Sequence, residues 1–167
     1  MADLRIGVIS DTHGLVRPEA LAALDGCTML IHAGDIGSPA VLETLSRHAP
    51  VHAVRGNVDR DPGLMVVPST LDLVLGGLRI HVVHRPQDID PVTAAAADLV
   101  VCGHTHQPCI DRVDGTLRVN PGSAGPRRFS LPVSVAVVDV REGITEPRLL
   151  TLDVPLRRAA SRRGGRR

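Results

Sequence analysis

Three short apolar runs alternate with helix-type segments in the first third of the chain. The runs cover residues 4–9, 28–32 and 51–54, and each is typical of a buried strand. Pro18 and Pro39 each predict the first residue of a helix between these strands, because a helix needs no backbone N–H at that position. The resulting β-α-β-α-β order favours a parallel sheet with helices packed on it.

After a first hairpin, the last third of the chain is predicted to be antiparallel in character. The Gly-Gly pair at 76–77 and the Asp-Gly pair at 114–115 are typical of two-residue hairpin turns. A short alanine-rich helix is expected from Pro91. The strands expected in this part are 71–75, 78–83, 98–102, 109–113, 116–120, 133–140 and 148–154.

Length and charge favour one domain followed by a basic tail. The chain has 167 residues, of which 43% are hydrophobic and 22% charged, as in a compact globular domain. Residues 157–167 contain six arginines and no acid, so we expect a disordered tail there. Residues 1–156 form the expected domain, with 13 basic and 18 acidic residues and a net charge of −5. This charge and the single aromatic residue, Phe129, disfavour nucleic acid as a stable partner.

Residue usage excludes several other functions. The chain has no lysine, which excludes a Schiff-base lysine and the lysine-bearing phosphate loop of nucleotide triphosphatases. No apolar run approaches the length of a membrane span, so no membrane partner is expected. Three cysteines without a Cys-x-x-Cys pair, in a sequence with no signal peptide, predict a reducing, cytoplasmic setting.

Side chains of metal-ligand type follow five of the expected strands. In open α/β sheets such groups gather at the carboxyl ends of the strands, so we expect all of them at one edge. Leaving so many coordinating groups unpaired would be costly, whereas two divalent cations would satisfy them. Carboxylate and carbonyl oxygens mixed with imidazole suit Mn²⁺, Fe, Zn²⁺ or Co²⁺ better than Ca²⁺. The candidate metal-ligating and catalytic residues are Asp11, His13, Asp35, Asn57, His84, His104 and His106.

The order of these motifs resembles the calcineurin-like metallophosphoesterase superfamily. The short length, the Gly-Asn-x-Asp form and the Asn-Pro-Gly-Ser turn at 120–123 are most similar to its small YfcE-type phosphodiesterase branch. The resemblance covers about residues 4–154 and implies an α/β sandwich of two mixed β-sheets flanked by helices. The five motifs are Asp-x-His at 11–13, Gly-Asp at 34–35, Gly-Asn-x-Asp at 56–59, His84 and Gly-His-x-His at 103–106.

The resemblance also implies a dinuclear metal site in which Asp35 bridges the two ions. Mn²⁺ is the first candidate, with Fe, Zn²⁺, Ni²⁺ and Co²⁺ as alternatives. The implied reaction is in-line attack of a metal-bound hydroxide on a small-molecule phosphodiester. By family position, the first metal would have Asp11, His13, Asp35 and His106 as ligands, and the second would have Asp35, Asn57, His84 and His104.

Two positions depart from the pattern of the superfamily. Many members have His after the Gly-Asn pair, where it is taken to protonate the leaving group, and here this residue is Val58. Esters with poor leaving groups are therefore expected to react slowly unless another acid serves. Small members often have Gly after the motif histidine, whereas Arg85 stands here. Arg85 could bind a substrate phosphate with both arms of its guanidinium or narrow the site.

Two other functions remain open at this point. A phosphomonoesterase could use the same metal site, although Val58 counts against it. A non-catalytic interaction scaffold is the alternative from another class, because the retromer scaffold subunit resembles this fold and uses its surface for binding. Retention of every ligand type favours the enzyme. Small relatives are often dimers or larger, which leaves a homo-oligomer open.

The roles of several neighbouring residues are also open. Asp59 is equally compatible with orienting the metal histidines and with an exposed turn. His32 lies near Asp35 in sequence and could orient it, whereas His81 is expected to be structural. The arginine pair at 127–128 is expected to face solvent, although phosphate binding is an alternative.

Overall fold

The computed structural model describes residues 4–141 and 144–155. The basic tail predicted at 157–167 lies outside the described residues. Three helices are α1 (Pro18–Ala23), α2 (Pro39–Ser46) and α3 (Pro91–Ala96). The strands are β1 (Leu4–Ile9), β2 (Met29–His32), β3 (Val51–Ala53), β4 (Thr70–Leu75), β5 (Leu78–Val83), β6 (Leu99–Val101), β7 (Cys109–Val113), β8 (Thr116–Asn120), β9 (Ser134–Arg141) and β10 (Ile144–Thr151).

The strands form two mixed five-stranded sheets. The first has the order β10-β9-β1-β2-β3, in which β1, β2 and β3 are parallel and β9 runs antiparallel to β1. The second has the order β4-β5-β6-β8-β7, in which β5, β6 and β8 are parallel and hairpin partners flank them. The expected fold class, two mixed sheets with helices, is confirmed.

Alternation along the central strands supplies a core on each side of the first sheet. Ile6 and Val8 of β1 are buried in the cluster between the two sheets, with Val82 of β5 and Val101 of β6. Ile9 instead belongs to the cluster that includes residues of α1 and α2. Each buried aliphatic side chain contributes about 1.5–3 kcal/mol, so this aliphatic core stabilises the sandwich with almost no aromatic residue. None of the helices in residues 4–141 and 144–155 is long and apolar enough to span a membrane.

Local predictions agree with the structure except near the end of the described chain. Both two-residue turns connect antiparallel pairs, β4 with β5 and β7 with β8. The last strand was predicted at 148–154, but β10 begins at Ile144 and ends at Thr151. Pro147 therefore lies inside a strand, opposite Val138 of β9. An edge strand tolerates proline, because one side of it needs no ladder hydrogen bond.

Candidate metal centre

Loops from both sheets meet where their parallel strands end. The Asp11 N–H donates to the Gly34 carbonyl (2.9 Å), which joins the loops after β1 and β2. In the second sheet the Gly103 N–H donates to the His84 carbonyl (2.9 Å). The His104 N–H donates to Oδ2 of Asp11 (3.1 Å) and so connects the two sheets. Strand order thus brings the motif loops to one edge, as expected for ligand groups of α/β sheets.

The first group of side chains contains Asp11, His13 and His106, each with one ligand-type atom within 4.8 Å of the others. Nε2 of His106 lies 3.2 Å from Oδ1 of Asp11 and 3.4 Å from Nε2 of His13. The two imidazole rings stack with centroids 5.3 Å apart. Two imidazoles and a carboxylate thus place atoms of metal-ligand type around one small volume.

The second group contains Asp11, Asp35 and His84, again within 4.8 Å of one another. Oδ1 of Asp35 lies 3.3 Å from Nε2 of His84, and Oδ2 lies 3.9 Å from Nε2 of His13. The two oxygens of Asp35 therefore face one histidine from each group. Asp11 belongs to both groups, so the groups form a single continuous cluster.

The remaining two candidates lie beside His84. His104 is half-buried, and its ring meets the His84 ring edge-on with centroids 5.2 Å apart. Asn57 is exposed and lines a surface pocket together with His84. The structure therefore brings five of the seven candidates into tight groups and places His104 and Asn57 at their border.

The cluster requires unusual backbone conformations. Five of the candidates have positive φ, between 47° and 69°, a region that costs a residue other than glycine roughly 1–3 kcal/mol. Such strain persists only where surrounding contacts enforce it, and it is typical of functional sites. The five are Asp11, His13, Asp35, His104 and His106.

At two motif glycines, the space that a side chain would fill is taken by side chains of other loops, including the carboxylates. A Cβ at Gly103 would overlap Oγ of Ser10 and lie 2.8 Å from Oδ2 of Asp11. A Cβ at Gly56 would overlap Oδ1 of Asp35. Each motif needs glycine because the carboxylate of another loop lies where a side chain would be.

Electrostatics keep both carboxylates ionised. Burial would raise the pKa of Asp11, but the neighbouring His106 ring and the hydrogen bond from Ser10 hold it below its ordinary value. Burial opposes ionisation of Asp35 in the same way, and the neighbouring His84 ring lowers its pKa overall. Burial lowers the pKa of His13, only partly offset by the charge of Asp35. The cluster thus combines two anionic carboxylates with histidine rings.

The donor set fits a divalent metal. Nδ1 of His84 must donate to the Ala33 carbonyl (2.7 Å), because a carbonyl only accepts, so Nε2 faces Asp35 with a lone pair unless it is protonated. Burial would lower the pKa of His84, but Asp35 and the Ala33 carbonyl raise it overall, because both favour positive charge on the ring. Among the described residues, Oδ1 of Asp11 and Nε2 of His84 are buried without a hydrogen-bond partner. A divalent cation would satisfy both atoms.

His32 is neutral and connects the loop after β1 to the loop after β2 by hydrogen bonds. Its Nδ1 accepts from the Gly34 N–H (3.2 Å), so Nε2 carries the proton that it donates to Oγ1 of Thr12 (2.9 Å). Thr12 in turn donates to the Ile36 carbonyl (2.9 Å). Complete burial lowers the pKa of His32 to about 4. His32 therefore holds the loop before Asp35 through its backbone.

The titration of His32 should make folding less stable at acid pH. Between pH 6.5, the ordinary value, and about 4, the unfolded chain binds a proton that the folded chain excludes, so stability falls as pH falls through this window. Between pH 7 and pH 5, the free energy of unfolding should fall by roughly 2 kcal/mol more in the metal-free wild type than in metal-free His32→Gln. Each pKa unit is worth about 1.4 kcal/mol. Urea unfolding at both pH values measures this difference, and equal losses in the two proteins would contradict it.

Asp59 has a role that neither alternative from the sequence anticipated. It is buried, and its carboxylate accepts from the backbone N–H groups of Ile36 (3.0 Å), Gly37 (2.8 Å) and Gly56 (2.8 Å). It therefore ties the loop of Asp35 to the loop of Asn57 through the backbone. The Gly-Asn-x-Asp spacing was the only signal for this role.

Other neighbours are also resolved by their contacts. Nε and NH2 of Arg85 donate to Asp88, at 2.7 and 2.9 Å, so this pair of donors is not free to bind a phosphate. His81 is buried and bonded to Asp72 of β4 (2.7 Å), outside the metal cluster. Arg128 is exposed, as expected, and its charge contributes to lowering the pKa of His13.

The sequence and the fold both have known relatives. The chain is 36% identical over 148 residues to a probable metallophosphoesterase of Methanothermobacter thermautotrophicus, a match covering 81% of this chain and 85% of the relative. The structure of an archaeal phosphodiesterase, 22% identical, has the same fold with a TM-score of 0.75 over 89% of this chain and all of that one. Vps29 of Entamoeba histolytica, solved with Zn²⁺ and also 22% identical, has a TM-score of 0.65 over 89% of this chain and 99% of its own.

The family assignment rests on the match to a family model over most of the domain. The model of the calcineurin-like phosphoesterase superfamily domain matches residues 4–143, which include every motif that suggested the resemblance. The chain belongs to the calcineurin-like phosphoesterase superfamily.

Proposed function

We propose that this protein is a phosphodiesterase that works with two divalent metal ions. The observation that carries the proposal is the continuous cluster of Asp11, Asp35 and three histidines, in which each oxygen of Asp35 faces a different histidine. A carboxylate placed in this way is suited to lie between two cations. The name of the archaeal phosphodiesterase with the same fold agrees with this activity.

The ligands divide between the ions by the family pattern. Asp11, His13, Asp35 and His106 would hold the first ion, and Asp35, Asn57, His84 and His104 would hold the second. Asp35 is the shared ligand. The tight first group and the contact between the His84 and His104 rings support this division.

Bound divalent ions would lower the pKa of a coordinated water and neutralise charge on phosphoryl oxygens. Hydrogen bonds within the protein hold the metal-ligating atoms of Asp11 and His84 in position. Ser10 Oγ donates to Oδ2 of Asp11 (2.6 Å), and the His104 N–H donates to the same oxygen, which leaves Oδ1 free. The Ala33 carbonyl orients His84 from the other side of its ring. Removal of such a partner of a metal ligand typically lowers metal affinity or activity 10- to 100-fold.

We propose Mn²⁺ as the first candidate for the metal. We also propose that the protein is cytoplasmic. Carboxylate and imidazole donors suit Mn²⁺, and they also bind Fe, Zn²⁺, Ni²⁺ and Co²⁺. All three cysteines are free thiols, and Cys27 and Cys102 are buried. Free thiols are compatible with a reducing compartment.

The residue at position 58 favours a diester with a good leaving group. The Val58 side chain is 47% exposed beside Asp35, to which its backbone N–H donates (3.2 Å). It has no proton to give to a leaving oxygen. Alcohols that depart only after protonation are therefore disfavoured as leaving groups.

Hydrolysis of two p-nitrophenyl esters tests the proposal. After chelation and restoration of Mn²⁺, bis(p-nitrophenyl) phosphate should be hydrolysed with a higher kcat/KM than p-nitrophenyl phosphate. The same measurement with chelator should show no turnover. A preference for the monoester would keep the metal site and reject the diesterase.

A non-catalytic scaffold is the second candidate, and the similarity to Vps29 favours it. The Vps29 of Entamoeba histolytica was itself solved with Zn²⁺, so metal binding alone does not separate the two functions. Turnover does. Absence of hydrolysis with Mn²⁺, Fe²⁺, Zn²⁺, Ni²⁺ and Co²⁺ would favour the scaffold.

A further inference from the structure

A pocket of about 240 Å³ opens beside the metal cluster. The loop after β3 and the segment that follows β5 form its walls, and Ser69 adds a hydroxyl group. We call it the arginine pocket. Its lining includes Arg55, Asn57, Ser69, His84, Arg85 and Asp88.

The arginine pocket adjoins the cluster without being part of it. Of the seven ligand candidates, only Asn57 and His84 line it. The carboxylates and the stacked histidines of the first group do not. A group bound in this pocket would therefore lie next to a phosphodiester held at the cluster, on the side of the second ion.

The charge of the pocket favours an anion. The Arg55 guanidinium has no carboxylate within 4 Å among the residues that the structure describes, and its NH1 donates only to the sulfur of Met65 (3.3 Å), a weak acceptor. Arg85 is paired with Asp88, so the two arginines together leave one positive charge uncompensated.

Arg85 keeps donors for a ligand although Asp88 holds it. A guanidinium has five N–H donors, and Asp88 uses those on Nε and NH2. The NH1 group remains available. The ion pair fixes Arg85 in the wall of the pocket, which reduces the entropy that anion binding would cost.

We propose that the arginine pocket binds a second phosphate group of the substrate, so that the preferred phosphodiester carries a phosphate besides the one that is cleaved. A phosphate monoester has a charge of about −1.5 to −2 and three acceptor oxygens, which match the fork of Arg55, the NH1 group of Arg85 and the Ser69 hydroxyl. This inference rests on the proposed phosphodiesterase activity.

Two nucleotide esters that differ by one phosphate test it. Wild-type protein with Mn²⁺ should hydrolyse thymidine 3′-phosphate 5′-(p-nitrophenyl phosphate) with a kcat/KM about tenfold or more above that of thymidine 5′-(p-nitrophenyl phosphate), because hydrogen bonds to charged groups are strong. In Arg55→Gln this ratio should fall close to one. Arg47→Gln removes the same charge from the exposed end of α2 and should keep the wild-type ratio.

Binding to the metal-free protein gives a readout that does not require turnover. By calorimetry, thymidine 3′,5′-bisphosphate should bind the metal-free protein through one of its phosphates, and Arg55→Gln should weaken this binding about tenfold or more while Arg47→Gln should not. Equal rates for the two esters in the wild type, or an affinity for the bisphosphate that is unchanged in Arg55→Gln, would overturn the pocket assignment while leaving the phosphodiesterase intact. No hydrolysis of either ester with any candidate metal would instead reject the phosphodiesterase.

Discussion

Asp35→Asn should lower turnover of bis(p-nitrophenyl) phosphate by at least about 1000-fold. Asparagine keeps the size of the side chain but removes its charge and one of the two oxygens that face His13 and His84. The carboxyl is ionised at neutral pH, since the neighbouring His84 overcomes the effect of burial and lowers its pKa. Charge stabilisation by metals is worth several kcal/mol, and each 1.36 kcal/mol is a factor of ten in rate.

Metal content separates this explanation from a folding defect. Elemental analysis should find fewer metal ions per chain in Asp35→Asn than in the wild type, with an unchanged circular dichroism spectrum. Asp72→Asn is the matched control, because Asp72 is also bonded to a histidine but lies outside the cluster with a side chain that is 68% exposed. Full turnover and full metal content in Asp35→Asn would contradict the bridging role.

The strand ends explain why so much of the candidate site could be predicted from the sequence. Parallel strands place their carboxyl ends at one edge, so a polar residue after an apolar run has a known position before any contact is known. Asp11, Asp35 and His84 follow strands that were predicted with bounds close to those observed. The two sheets then bring these residues together.

Contacts between loops could not be predicted in this way. Positive φ at Asp11 and Asp35 depends on hydrogen bonds to other loops, which periodicity along the chain does not show. The same holds for Asp59, which could have been an exposed turn acid until its three backbone donors were known. Edge position likewise decided that a strand could contain Pro147. Sequence pattern thus predicts the elements and the candidate ligands, whereas the contacts between loops come only from the fold.

The contacts of Asp59 matter because two residues of the candidate metal centre lie outside helices and strands. Asp35 and Asn57 are on the loops that follow β2 and β3. The carboxylate of Asp59 accepts N–H groups on both sides of this junction, from Gly37 after Asp35 and from Gly56 before Asn57. Burial strengthens these bonds, since a hydrogen bond is electrostatically stronger away from bulk water.

Asp59→Ala should therefore reduce both stability and activity. The substitution leaves three backbone N–H groups without their acceptor. Hydrogen bonds to a charged group contribute about 1.5–3 kcal/mol each. Because water can replace part of this, we expect the free energy of unfolding to fall by roughly 3–5 kcal/mol. Activity should fall about 10- to 100-fold, as when an outer partner of a metal ligand is removed. Urea unfolding and kcat/KM for bis(p-nitrophenyl) phosphate measure the two effects.

Asp61→Ala is the matched control for this variant. Asp61 is exposed two residues further on and accepts a single N–H, from Gly63 (2.8 Å), at the start of a short helical turn. Its removal should cost about 1 kcal/mol and leave turnover unchanged, because it does not connect ligand loops. If Asp59→Ala were no less stable and no less active than Asp61→Ala, the hydrogen bonds of Asp59 would not be what positions Asp35 and Asn57. The alignment of the two loops would then depend on packing, since Leu64 and Ile36 are both buried in the adjoining core.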